Sequence, residues 1–337
     1  MPEGSDFIPF NAEEGLILAT HLPGARSELH ENRLTFEGLD AGSPQRPLWV
    51  HLDRTKERAQ QWIRHEAGLD PLVSDALLAD GSRPRFQSVD KGLLVILRGV
   101  NMNPGSEPDD MIAIRLWIEP TRVITLRSHR FQTIVELRKR AEEGKAPTTV
   151  GGFLSTVAAG LATRMAPTVE NLEELLGGVE DEMVESDADD PEHRRILSTL
   201  RRQAISYRRH LVPQRDAIVG IALETSELIT PRERAELRGV GEQVARIAED
   251  LEELRDRAAV TQEEIRARRE SRINRTLYLL TIVATVALPL GLVTGLLGIN
   301  VGGLPLSNSP WGFTIVCVAL VLTAVAEVVV FKWLRLF

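Results

Sequence analysis

Three residues near the end of the chain, Gly298, Ile299 and Asn300, begin a loop that carries no charge. This loop, residues 298–310, reads GINVGGLPLSNSP and lies between two long apolar runs. The Gly298 carbonyl and the Asn300 amide oxygen are neutral dipoles that can hold a divalent cation through its hydration water. Because such ligands do not trap the ion, we predict a selectivity filter here. Gly-x-Asn is also a common way to end a helix, and that alternative stays open.

A second candidate is Glu327, the one charged residue between Thr276 and Lys332. An ionisable side chain inside an apolar segment is by default a functional candidate. Glu327 is therefore a candidate proton carrier if transport is coupled to protons. It lies only five residues before Lys332, so snorkelling or an ion pair with Lys332 or Arg335 is the alternative.

An acidic stretch in the middle of the chain would concentrate cations near the inner mouth of a pore. A solvated helical face is the alternative. The seven histidines show no HxxxH pattern typical of a fixed zinc site, although His193 and His210 could join a loose one. The predicted cytosolic cation funnel consists of Glu173, Glu174, Glu180, Asp181, Glu182 and Glu185.

Two membrane spans would position these residues. No charged residue occurs from Thr276 to Ala326, and a spanning helix needs about 20 apolar residues. We predict spans at 277–297 and 311–331, with two soluble core helices as the alternative. The one cysteine, Cys317, lies in the second span and excludes a disulfide framework within the chain.

The charges that flank the spans predict their orientation. Arginines precede the first span, and Lys332 and Arg335 lie in the tail, residues 332–337. Cationic flanks stay in the cytoplasm, so we expect both termini inside a bacterial inner membrane and the loop outside. The N-terminus does not read as a signal peptide. A net charge of -8 argues against a nucleic-acid partner.

The first part of the chain reads as a soluble α/β domain, residues 1–145. It is followed by a helical hairpin, residues 146–229, whose second helix would begin with Asp190 as the cap and Pro191 at its first position. The domain contains β-branched and apolar runs that predict strands at 15–22, 47–52, 86–89, 93–101, 111–119 and 122–126.

A stalk helix is predicted at residues 230–276. Thr230 and Glu233 form a capping box at its start, and apolar positions then recur at helical spacing into the first span. A helix broken near 258–261 is the alternative. The predicted fold class is an α+β cytoplasmic domain followed by a long stalk helix and two C-terminal transmembrane helices.

Two helices cannot enclose a water-filled path, so any transport requires an oligomer. A ring with one first-span helix per subunit would line a pore with a single helical face. A narrow apolar pore resists wetting and can act as a gate. Stepping back from Asn300 by three or four residues, the predicted pore-lining positions are Leu277, Leu280, Ala284, Leu288, Gly291 and Thr294.

This order of elements resembles the CorA superfamily of divalent-cation transporters, which carries Gly-Met-Asn at the start of its short loop. The resemblance implies a funnel-shaped homopentamer in the lipid bilayer, with the first spans lining the pore and Gly298 and Asn300 meeting the metal. Here Ile299 replaces the methionine, and the loop contains Gly-Gly rather than an acidic residue after a proline. Both features resemble the zinc-transporting, ZntB-like branch, for which proton coupling is proposed.

We therefore predict a transporter of Zn²⁺, with a channel for Mg²⁺ or Co²⁺ as the alternative and Ni²⁺ or Cd²⁺ as further possible cargo. A membrane-anchored scaffold or sensor without a pore is the rival from another class. The chain contains no Ser-His-Asp set, P-loop or dinucleotide fingerprint, so we expect neither enzymatic activity nor a bound cofactor.

Overall fold

The structure is a computed structural model, and it describes residues 14–24, 36, 39, 42–81, 83–107, 109–185, 190–299 and 309–333. The chain forms two compact units, Met1–Gln262 and Glu263–Phe337. The boundary between the two units falls inside the predicted stalk helix.

A six-stranded sheet forms the centre of the first unit, with strand order β1-β2-β6-β5-β4-β3. Strands β2 and β6 pair in parallel, and the other neighbours pair antiparallel. All six predicted strands are present within a residue or so of their expected bounds: β1 (Leu16–His21), β2 (Leu48–Asp53), β3 (Arg85–Val89), β4 (Gly92–Val100), β5 (Met111–Glu119) and β6 (Arg122–Arg127).

Helices cover both faces of this sheet. One face packs on α1 (Glu57–Gln61), which continues into a π-helical turn, and on α2 (Pro71–Leu78). The other face packs on longer helices, and the Trp49 ring meets Phe153 edge-on there at 5.0 Å between centroids. Because both faces are covered, central strands such as β4 are buried almost throughout.

The helices after the sheet are α3 (Gln132–Glu142), α4 (Val150–Glu185), α5 (Pro191–Leu223) and α6 (Pro231–Leu297). The Asp190 side chain accepts from Glu192 N at 2.8 Å, so its predicted role as the cap of α5 is confirmed. The predicted hairpin extends to residue 229, but this helix stops earlier. It ends at Leu223, because Glu224 adopts an extended backbone (φ -63°, ψ 134°).

The start of α6 is fixed by the predicted capping box. Thr230 N donates to Glu233 Oε2 at 2.7 Å, and Glu233 N donates back to Thr230 Oγ1 at 3.3 Å. The Thr149 hydroxyl, at the start of α4, also donates to the Glu233 carboxylate. This one carboxylate therefore joins the beginnings of two helices.

The alternative in which α6 breaks near 258–261 is wrong. The Thr261 hydroxyl donates to Arg257 O at 2.9 Å, one turn back, and also lies 3.3 Å from Glu180 Oε1 on α4. Arg257 binds the same carboxylate at 2.6 Å, and Arg208 of α5 binds Glu252 at 2.9 Å. These bonds from α4 and α5 support α6 as one continuous helix through this region.

In the second unit, the final helix α7 (Gly312–Trp333) follows the loop. The C-terminal part of α6 and residues 312–330 of α7 are each long and apolar enough to cross a membrane, with mean hydropathies of 2.2 and 2.6. The apolar windows are not buried within the chain, in contrast to the core helix of a soluble protein.

Candidate ion pathway

The predicted filter lies where α6 ends. Gly298 N donates to Thr294 O at 2.9 Å, with Gly295 O at 3.2 Å, so the last helical turn closes on the first filter residue. Ile299 follows, with 47% of its surface exposed. Asn300 lies outside the residues that the structure describes. The structure thus places two of the three predicted filter residues, directly after the first span.

The predicted pore-lining residues share one face of α6, and every one of them is exposed in the single chain. At 100° per residue, the opposite face carries partly covered positions. The two faces therefore differ in burial: the predicted pore positions are exposed, whereas the opposite face includes partly covered positions. The partly covered positions are Ile282, Thr285, Val286, Pro289, Leu290 and Leu297.

Hydroxyl groups within this span are already engaged as donors. Thr281 donates to Leu277 O at 2.8 Å, and Thr285 donates to Thr281 O at 2.6 Å. Thr294 donates to Leu290 O at 2.9 Å, one turn before the filter. Because its proton is used in this way, the Thr294 oxygen is left as an acceptor on a residue of the predicted pore face. This acceptor could not be recognised from residue type alone.

Glu327 lies on the one partly covered face of α7, whose other members repeat at helical spacing: Val316, Cys317, Leu320, Thr323 and Ala324. Its Oε2 is shielded from solvent and has no hydrogen-bond partner among the described residues. The C-terminal part of α6 and α7 belong to the same compact unit, and each has a partly covered face.

Some carboxylates of the predicted cation funnel have a partner among the described residues, and others are exposed. Glu180 binds Arg257 at 2.6 Å, and Glu182 accepts from His193 Nε2 at 2.7 Å. Glu174 and Asp181 are exposed, whereas the side chain of Glu185 is not described.

Glu173 lies beside acidic residues of α6. Partial burial, followed by the charges of Asp250 and Glu253, raises the pKa of the Glu173 carboxyl above its ordinary value. Burial and Glu253 likewise raise the pKa of Asp250. A local surplus of negative charge therefore lies between α4 and α6. Sequence reasoning missed the α6 contribution, because its acids are spaced like those of an ordinary solvated helix.

The two histidines singled out as candidates do not share a site. His193 contacts Glu182, whereas His210 lies among cationic groups. Burial, reinforced by Arg98 and Arg209, lowers the pKa of His210 to about 4. Within the described ranges, no group of three or more His, Cys, Asp or Glu side chains is arranged to hold a metal ion.

A family model described as CorA-like Mg²⁺ transporter protein matches residues 44–333. The chain is 37% identical over 324 residues to the divalent cation transporter CmaX of Pseudomonas aeruginosa, covering 96% of this chain and 97% of that protein. It is 30% identical over 303 residues to the zinc transport protein ZntB of Yersinia pseudotuberculosis, covering 90% and 91%.

Solved structures show the same architecture. The structure of the full-length CmaX protein matches with a TM-score of 0.83 at 36% identity, covering 96% of this chain and 98% of that one. The CorA magnesium transporter of Methanocaldococcus jannaschii shares the fold, with a TM-score of 0.72 at 19% identity over 85% and 90% of the two chains. The predicted α+β domain, long helix and C-terminal helix pair are confirmed, and the chain belongs to the CorA-like family of divalent-cation transporters.

Proposed function

We propose that this protein transports Zn²⁺ across the bacterial inner membrane as a homopentamer, with both termini in the cytoplasm. The observation that supports a pore most directly is the uncovered face of the first span. Six predicted pore positions on α6 are all exposed, and they lie opposite the partly covered positions of the same helix. A ring of subunits provides the neighbours that this face lacks in a single chain.

Zinc as the cargo is supported by the relative named as a zinc transport protein, which matches over nine-tenths of both chains. The GIN sequence at Gly298 points the same way through its resemblance to that branch. Transport of Mg²⁺ or Co²⁺ is the second candidate, because the family is described by Mg²⁺ transport and CmaX by divalent cations without a stated metal.

The proposed path uses neutral oxygens at the outer end and negative charge at the inner end. Gly298 and Asn300 would meet the hydrated ion, and the Thr294 oxygen one turn below would accept from its hydration water. Leu288 and Leu280 would form an apolar constriction. The acids around Glu173 and Asp250 would then raise the local cation concentration.

Proton coupling is a further part of this proposal, and Glu327 is its carrier. The carboxyl lies on the partly covered face of α7, and its shielded oxygen has no partner among the described residues. Loss or gain of a proton there would change the charge at the contact between the two spans. Because Glu327 lies on α7 and the proposed pore is lined by α6, this proton site would influence the pore-lining helix without lying in the ion path.

The test is metal flux into proteoliposomes, comparing Zn²⁺ with Mg²⁺, with and without a pH gradient. We expect zinc flux that rises with the gradient. Asn300→Ala should abolish it, whereas Asn308→Ala, in the same loop, should not. Glu327→Gln should remove the dependence on the gradient and leave basal flux.

Each outcome refers to one part of the proposal. Full zinc flux through an assembled Asn300→Ala protein would refute the filter. Magnesium flux that is indifferent to pH would refute zinc and coupling together. No flux of any metal from an assembled pentamer would favour a scaffold.

A further inference from the structure

A cleft of about 480 Å³ opens in the first unit between α3, α4 and the beginning of α6. This volume lies within the range of small-molecule sites. None of its lining residues is among those assigned to the proposed ion path. The lining is formed by Thr133, Glu136, Leu137 and Arg140 of α3, by Ser155, Thr156, Ala159, Gly160, Thr163 and Arg164 of α4, and by Glu236 and Val240 of α6.

Both carboxylates in the lining are already paired with arginine. Glu136 forms an ion pair with Arg164. Glu236 accepts from Arg232 Nε at 3.2 Å, and its other oxygen accepts from the Ser155 hydroxyl at 3.1 Å. Because these partners satisfy the negative charges, the cleft is not arranged to attract a cation.

Arg140 is the lining charge that has no partner. Its exposed guanidinium makes no hydrogen bond or ion pair with any residue that the structure describes. Lys139 lies beside it in the last turn of α3. The hydrogen bond and charge of Arg164, followed by the charges of Arg140 and Lys139, hold the pKa of Glu136 below its ordinary value. This end of the cleft is therefore electropositive, although the whole chain carries a net charge of -8.

The wall beneath Arg140 is held in place by polar contacts. Arg164 Nη1 donates to Gly160 O at 2.8 Å and to Thr133 Oγ1 at 3.2 Å. A Cβ at Gly160 would come within 2.6 Å of Thr133 Cγ2, so glycine permits the close approach of α3 and α4 here. The guanidinium of Arg164 is thereby fixed at the edge of the cleft before any ligand arrives.

We propose that this cleft binds a phosphate-bearing small molecule of about nucleotide size. Arg140 would supply the main charge–charge contact with the phosphate, and Arg164 would add the N–H groups that its bonds to Glu136, Gly160 and Thr133 leave over. Leu137 and Val240, both buried, form an apolar floor for the rest of the ligand. The hydroxyls of Thr156 and Thr163 complete the polar rim.

The test is calorimetric titration of the full-length protein in detergent, with chelator present, using ADP, inorganic phosphate and adenosine. We expect saturable binding of ADP, weaker binding of phosphate and none of adenosine. This order distinguishes a nucleotide site from a site for free phosphate, in which phosphate would bind as tightly as ADP. Either order supports a phosphate site.

Two variants with opposite expected signs make the test specific. Arg140→Gln should weaken binding about tenfold or more, because a charge-assisted contact is lost. Glu136→Gln should strengthen binding, because it removes a negative charge and releases Arg164. Arg238→Gln, with the same change of charge on α6 outside the lining, should have no effect.

Absence of saturable binding of both ADP and phosphate at millimolar concentration would overturn the proposal. So would equal weakening by Arg140→Gln and Arg238→Gln, which would show an effect of net charge only. If Arg140→Gln fails to fold, the Glu136→Gln variant still decides, since unchanged or weaker binding there contradicts the assigned electrostatics.

Discussion

Replacement of His51 by leucine should make the unfolding free energy of the protein less sensitive to acid, because His51 is buried in the central sheet. His51 Nδ1 lies 2.8 Å from Thr125 Oγ1, which accepts from Trp49 Nε1 at 2.9 Å and donates to Val50 O at 3.2 Å. With the Thr125 proton used in this way, His51 donates from Nδ1. Its Nε2 is then an unprotonated nitrogen, buried without a partner among the described residues.

The size of the effect follows from the pKa of this imidazole. Burial, reinforced by Arg127, lowers the pKa of His51 from 6.5 to about 3. The folded state therefore keeps the ring neutral, and its stability falls as the pH drops below 6.5, where the unfolded chain takes up a proton. At pH 5 the loss relative to pH 7.5 is about 2 kcal/mol, or 1.5 pH units at about 1.4 kcal/mol each.

The assay is guanidinium unfolding of the full-length protein in detergent, followed by fluorescence at pH 7.5 and pH 5. His51→Leu should lie within about 1 kcal/mol of the wild type at pH 7.5, because only one neutral hydrogen bond is lost. It should lose about 2 kcal/mol less than the wild type on acidification. His210 is present in both proteins, so its contribution cancels. If the unfolding free energy fell by the same amount in both proteins between pH 7.5 and pH 5, the assignment of His51 as the buried neutral group would be refuted.

Two other predictions concern the start and the end of α6. Glu233→Ala should lower the unfolding free energy by about 1–2 kcal/mol, because the capping box and the bond from Thr149 are both lost, whereas exposed Glu242→Ala should change it by less than about 0.5 kcal/mol. In the flux assay, Leu288→Ser should raise ion leak by making an apolar constriction wettable, whereas Leu290→Ser, on the opposite face, should not. Equal destabilisation by Glu233→Ala and Glu242→Ala would contradict the role of Glu233. Equal ion leak through Leu288→Ser and Leu290→Ser would contradict the assigned pore face.

Most elements of the fold could be predicted from the sequence because their ends carry strong local signals. Pro191 and Pro231 each follow a capping residue, and the bounds of α6 agree with those predicted. The strand order could not be predicted in this way. Alternation identifies β2 and β6 as strands but contains no information that places them side by side in parallel, some 70 residues apart.

For the candidate sites too, features of a single helix could be predicted from the sequence, whereas contacts between helices could not. Helical phase was enough to group the predicted pore positions, since phase is a property of one helix. The pairing of Glu180 with Arg257, and the cluster around Glu173, depend on how α4 packs against α6. The sequence does not show which face of α7 is covered, so it could not predict that the Glu327 carboxylate is shielded from solvent.

Cys317 lies on the partly covered face of α7, and it is the one sulfhydryl in the chain. The unaltered protein is therefore a single-thiol protein, ready for labelling with a maleimide. Alkylation requires the reagent to reach the sulfur, so its rate reports how tightly α7 is covered on this side. A cargo ion or a pH step that separates the two spans would speed the modification, and this movement could be followed without changing a single residue.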